Sequence, residues 1–188
     1  MDSVQILGQV FGVLVTVSCV ITAQFPKRWQ IMLGFTAINL FSVLNQFLIG
    51  AGLTACLPGI VAVLHCPVNA IKAKRNSPTR VWENVLFSAL YFLAWGVGFF
   101  LSVRAGTAGP MDALPLLGTV FFVLSVFVPR EQQTRACSFG NSLVYFIYDI
   151  LHLNIAATAK LFNMASLVVA MLRYRKRPDT GEDEELAP

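Results

Sequence analysis

The sequence predicts an all-α integral membrane protein of seven transmembrane helices, and three observations carry that prediction. Apolar residues make up 56% and charged residues 13% of the 188 positions, whereas a water-soluble domain carries about 25% charged residues to cover its surface. Charge-free runs long enough to cross a bilayer recur along the chain. The basic residues fall almost wholly in alternate loops. A soluble enzyme is excluded on the first ground. No phosphate-binding loop, Ser/His/Asp arrangement or paired catalytic carboxylates can be assembled, so enzymatic activity is not expected.

Each element follows from where charges are missing, because a charged side chain at mid-bilayer costs about 2.5–3.5 kcal/mol on insertion scales. No Asp, Glu, Lys or Arg separates Asp2 from Lys27, which marks the first span. It lacks a basic leader and its apolar run is too long for a signal peptide, so cleavage is not expected. The next charge-free run extends from Trp29 to Ile71. At about 1.5 Å per residue it far exceeds the ~30 Å hydrocarbon core, so it folds back once, at Gly50-Ala51-Gly52. A fourth span covers Asn84 to Val103 and a fifth Ala113 to Pro129. Two more lie near 136–152 and 154–172, interrupted by Asp149 and Lys160 alone. Strand-like alternation is absent throughout.

Helices that alternate direction sort the cations by side. All of the fourteen Lys and Arg residues except Arg104 and Lys160 fall on one side. The positive-inside rule then puts the N-terminus outside and the C-terminus inside. That distribution explains the pI near 9.0 through anionic lipid headgroups, with no need of nucleic acid. Residues 1–177 read as a single membrane domain, and 178–188 as a disordered, acidic cytoplasmic tail.

Overlaying residues 31–73 on 135–177, a shift of 104, pairs Phe35 with Phe139, Asn45 with Asp149, Thr54-Ala55 with Thr158-Ala159, and Lys72 with Lys176. The preceding helices end in Phe25-Pro26-Lys27 and Val128-Pro129-Arg130. The expected organisation is therefore a first repeat over 4–72, a linker helix over 83–103 and a second repeat over 112–176. An extra helix between two three-helix units gives both the same orientation, a parallel repeat of the kind seen in SWEET transporters. Pro26 and Pro129 are candidate hinges; the alternative is that they simply end their helices at the interface.

The segments Gly8-Gln9-Val10-Phe11-Gly12-Val13, Leu114-Pro115-Leu116-Leu117-Gly118-Thr119, Arg135, and Leu161-Phe162-Asn163-Met164 through Arg173-Tyr174-Arg175-Lys176-Arg177 resemble the YgjV-type bacterial inner-membrane proteins over nearly the whole chain. That resemblance implies a bacterial plasma membrane location and an architecture related to the SWEET and PQ-loop superfamily. Where PQ-loop proteins carry Pro-Gln, this chain has Pro26-Lys27 and Pro129-Arg130.

Ionisable groups at bilayer depth are by default candidates for function, and Asp149 and Lys160 are the two here. One reading is an ion pair across the turn between helices 6 and 7, or a Lys160 that snorkels outward; the other is a water-filled cavity that binds substrate or a proton. Ser138, Asn141, Tyr145, Tyr148, Asp149 and His152 form one helical stripe, with a sparser counterpart at Thr36, Asn39, Ser42, Asn45 and Gln46. Lys160, Asn163 and Ser166 repeat every third residue on helix 7. The candidate substrate or ion contacts are Asn45, Asp149, Lys160 and Asn163, with Tyr145 and Asn141 lining. His65 and His152 lie toward opposite sides, and the four cysteines show no Cys-x-x-Cys spacing, so no metal, redox pair or other cofactor is expected. Trp95-Gly96-Val97-Gly98 reads as a close-packing surface, and Trp29, Trp82 and Tyr174 as an interfacial aromatic belt.

These features point to a small transporter or facilitator of a polar molecule; the rival is a membrane scaffold or regulatory protein that keeps the architecture without transporting. The expected partners are the lipid bilayer and a polar small molecule, and self-association as a homo-oligomer is compatible with the same composition.

Overall fold

The computed structural model describes residues 3–48, 53–77, 80–106, 109, 113–151 and 156–175. The Gly50-Ala51-Gly52 turn, His152 and the acidic tail lie outside the described residues. Those described form seven helices: α1 Ser3–Ala23, α2 Arg28–Leu48, α3 Leu53–Lys74, α4 Val81–Arg104, α5 Ala113–Phe127, α6 Glu131–Leu151 and α7 Ala156–Arg173. Among them is no strand.

Four helices meet the length and hydropathy of a membrane crossing: α1, α2, Cys56–Lys74 of α3, and α4. α5 is apolar but has 15 residues, about 22 Å of helix at the usual rise. α6 begins at Glu131, several residues before the span expected from 136, and therefore carries Glu131, Gln132, Gln133 and Arg135 in its first turns. With Asn141 and Asp149 further along it, α6 is the least hydrophobic of the seven helices.

Proline sets the ends of α1 and α5. With no N–H and a ring that clashes with the carbonyl four residues back, it cannot continue a helix. Pro26 and Pro129 both stand just past a last helical turn, at Ala23 and Phe127. α3 instead keeps Pro58 and Pro67 inside the helix.

The helices pack in a closed order: α1 against α2, α2 against α3, α3 against α5, α5 against α6, α6 against α7, and α7 back against α1. α4 lies on α3 and α5. The core gathers Ile31, Met32 and Phe35 of α2, Ala62, Cys66 and Ala70 of α3, Tyr91 of α4, and Val123 and Val126 of α5. Apolar side chains such as Val13, Leu64, Leu93, Phe100 and Phe162 point outward instead. In water so much exposed apolar area is untenable; in a bilayer it is the lipid-facing surface. The close packing expected around Trp95-Gly96-Val97-Gly98 is not met at Gly96, where an added Cβ has nothing within 4 Å; Gly98 is buried, and Trp95 stacks on Phe99.

Candidate functional site

Mostly half-buried polar side chains join α1, α6 and α7, while the buried positions of α7 are Ala157, Met164, Leu167 and Ala170. The stripe on α7 runs along this seam. Asn163 Nδ2 donates to Ser142 Oγ of α6 at 2.7 Å. The Ser166 hydroxyl donates to the Val20 carbonyl of α1 at 3.1 Å, and Gln24 Nε2 reaches Ser166 Oγ at 2.9 Å. One turn before Asn163, Lys160 holds its ammonium over the Tyr145 ring of α6, 5.4 Å from the centroid, where the face of the aromatic quadrupole attracts a cation. Tyr145 in turn lies against Gly118 of α5, so closely that a Cβ there would stand 2.6 Å from its ring. Asn141 Nδ2, one turn earlier on α6, donates to the Gly118 carbonyl at 2.7 Å. The backbone of Asp149 continues this face one turn beyond Tyr145; its side chain lies outside the described residues.

Asn45 is held apart from this group. Its Nδ2 donates to the Gly8 carbonyl of α1 at 2.7 Å and would stand 3.2 Å from a Cβ on Gly12. Small residues let membrane helices approach closely enough for such bonds. A glycine carbonyl of α1 and one of α5 thus each receive an asparagine amide from the following helix: Gly8 from Asn45, Gly118 from Asn141.

One end of the bundle collects the basic residues. Lys72 at the end of α3 pairs with Glu83 at the start of α4, whose carboxylate also accepts from the Arg80 backbone. Lys74 lies over the Trp29 ring. Two arginines cross between helices here. Arg28, first residue of α2, donates to the Val126 and Val128 carbonyls at the end of α5, at 2.6 and 3.1 Å. Arg135 of α6 donates to the Ala23 and Phe25 carbonyls at the end of α1, at 3.4 and 2.7 Å. A helix end leaves its last carbonyls without intrahelical donors and carries partial negative charge. Each proline-stopped helix is therefore a ready acceptor for a guanidinium. Tyr174 covers Arg135 with its ring 4.8 Å away and donates its hydroxyl to the Gln24 carbonyl at 2.9 Å.

Arg135 is 2% exposed, not a loop cation. Its role was invisible in sequence because its depth depends on where α6 begins. Pro26 and Pro129 adjoin the two crossovers. Among the predicted residues, Tyr145, Lys160 and Asn141 come together, and Asn163 lies one turn further along α7.

A second buried polar group joins α3 to α4. His65 is 1% exposed, with Asn69 Nδ2 2.6 Å from its Nε2 and the Tyr91 hydroxyl 3.4 Å from its Nδ1. An amide that donates to Nε2 assigns the ring proton to Nδ1, toward Tyr91. Phe87 stacks on the imidazole at a centroid distance of 3.7 Å, and Phe127 meets it edge-on. This neutral, aromatic-walled cluster fixes three helices.

Residues 6–178 match the sequence profile of Imp-YgjV, described as a bacterial inner membrane protein family. The chain belongs to that family. The match covers all seven helices of the Imp-YgjV member save the first residues of α1, and it places the protein in the bacterial inner membrane. No curated protein and no solved structure matches it.

Proposed function

We propose that the protein is a transporter or facilitator that carries a polar small molecule across the inner membrane by movement of two like-oriented three-helix units, α1–α3 and α5–α7, with α4 as linker. The N-terminus lies outside, and the basic end in the cytoplasm. One observation carries this reading. Exchanging α1, α2 and α3 for α5, α6 and α7 turns the α3–α5 contact into the α7–α1 contact, as a two-fold axis along the membrane normal requires. One element boundary supports the same exchange: α2 and α6 start 103 residues apart, at Arg28 and Glu131. That register is one residue shorter than the sequence overlay, and it also relates Pro26 to Pro129.

In such folds substrate sits near the midplane between the units. Lys160, Tyr145 and Asn163, with Asp149 on the same face of α6, supply cationic, aromatic and amide groups for a polar ligand there. Asn45 and Asn141 spend their amide donors on glycine carbonyls, and so contribute shape more than binding.

The test is uptake into proteoliposomes across sugars, nucleosides, vitamins and amino acids, with Lys160→Met beside the wild type. Saturable uptake of one class, lost in Lys160→Met, supports transport. A second reading, a scaffold that does not transport, is favoured by the interior bonds Gln24–Ser166 and Asn163–Ser142, which tie α1, α6 and α7 together. It predicts no uptake of any class and a double change of Asp149 and Lys160 to Leu that leaves stability equal or higher.

A further inference from the structure

We infer that Arg28 and Arg135 form a reciprocal latch that holds the basic end of the bundle shut, and that both crossovers must release for the interior to open on that side. The inference rests on the transport reading above.

Its geometry is paired. Arg28 leaves the first unit to bind the end of α5, and Arg135 leaves the second to bind the end of α1. The acceptors correspond: Ala23 and Phe25 precede Val126 and Val128 by 103 residues, the offset that separates Pro26 from Pro129. The donors do not correspond, since Arg28 opens its helix while Arg135 lies a turn inside its own. Two different arginine positions thus arrive at one kind of acceptor. Shared helix-end chemistry explains this better than sequence duplication does.

Each crossover joins a helix of one unit to a helix of the other, so the units cannot part at this end while either holds. The Tyr174 ring and its bond to Gln24 close over Arg135. Arg173 Nη1 adds a contact to Gln24 Oε1 at 3.3 Å. Among the described residues neither arginine has a carboxylate within salt-bridge distance; their hydrogen bonds go to neutral carbonyls, and Glu131 at the start of α6 attracts both from further away. Released guanidinium groups at the membrane edge have water and lipid phosphate as replacement partners, and this makes the contacts exchangeable.

Cys19 provides a reporter. It lies one turn before Ala23 on α1 and is 7% exposed. In a background with Cys56, Cys66 and Cys137 replaced by Ala, inside-out and right-side-out vesicles are treated with a membrane-impermeant maleimide, for the wild-type latch, Arg135→Gln, Arg28→Gln and Tyr174→Phe. A parallel background keeps only Cys56, which is 5% exposed and lies near the start of α3, at the other end of that helix from the basic residues, as a measure of folding. The expected result is labelling of Cys19 from the basic side that rises about tenfold or more in the arginine variants, the factor for one charged hydrogen bond removed from the closed state, and less in Tyr174→Phe. Cys56 stays unlabelled from the basic side throughout. Unchanged Cys19 labelling in both arginine variants overturns the latch, as does a rise at Cys56 equal to that at Cys19, which marks a fold staple. Because accessibility needs no substrate, a failed uptake screen sinks the transport reading without deciding this measurement.

Discussion

The basic end of the bundle and its middle are held together by different chemistry. At the basic end, guanidinium groups reach across to the carbonyls of proline-stopped helices. In the middle and toward the opposite end, where Asn45 meets Gly8, neutral amides and hydroxyls bond to glycine carbonyls and to one another. Charged bonds are individually stronger, about 1.5–3 kcal/mol against about 1 for neutral ones. They are also the easier to exchange, because water and phosphate wait at the membrane edge. A neutral bond in the dry middle has no replacement partner. On the latch proposed above, the strongest contacts stand where movement would break them reversibly, and the weaker ones where the helices stay in register.

The sharpest way to break this contrast is at Arg135. Arg135→Leu removes both bonds and strands two carbonyls at the end of α1, an expected loss of about 3 kcal/mol, read as a lowered unfolding temperature in detergent. A loss no larger than that of a surface ion pair would mean that the basic end is not specially held. Next in size is Gly118→Ala, which drives a methyl into the Tyr145 ring. Overpacking of this kind costs about 1–3 kcal/mol. Gly96→Ala is its control: with nothing near its Cβ, gain of helix propensity leaves stability unchanged or raised by up to about 1 kcal/mol. Equal effects at the two glycines would remove the packing argument for Tyr145.

Smaller effects sharpen the picture of the middle. Asn45→Ala and Asn141→Ala each cost about 0.6 kcal/mol, the average for interhelical hydrogen bonds in membranes, and act additively because they join different helix pairs. Strong coupling between them in a double-mutant cycle would mean a shared site in place of two separate helix clamps. The smallest change is expected for Lys72→Met, which breaks the solvent-accessible pair with Glu83 at a small cost that shrinks as salt is added. A larger loss would extend the strongly held region to α3 and α4.

Much of the architecture was legible in the sequence because the bilayer imposes a coarse rule: charges end spans. Runs free of charge located α1 through α5 to within a few residues, and Pro26 and Pro129 marked two helix ends. The rule failed at α6. Glu131 and Arg135 read as loop because charge was taken to mean water, whereas a guanidinium supplied with carbonyls and an aromatic cover is stable inside a protein. His65 was equally opaque. Nothing in its sequence neighbourhood announces that Asn69, Tyr91 and Phe87 enclose it, since two of the three come from another helix. Asn141 and Asn45 read as lining residues by their spacing on a helical stripe, but spacing gives a face and not what the face meets.

The amino-acid order by itself determined the class of protein, its helical construction, the clustering of cations in alternate loops and the prolines that stop two helices. Those are properties of single segments weighed against lipid and water. Only the tertiary structure decided which carbonyls the arginines reach, which glycines the asparagines bind and that Lys160 lies over Tyr145. Each joins segments distant in the chain, and a contact between two helices depends on their packing angle and rotation, which neither helix encodes alone.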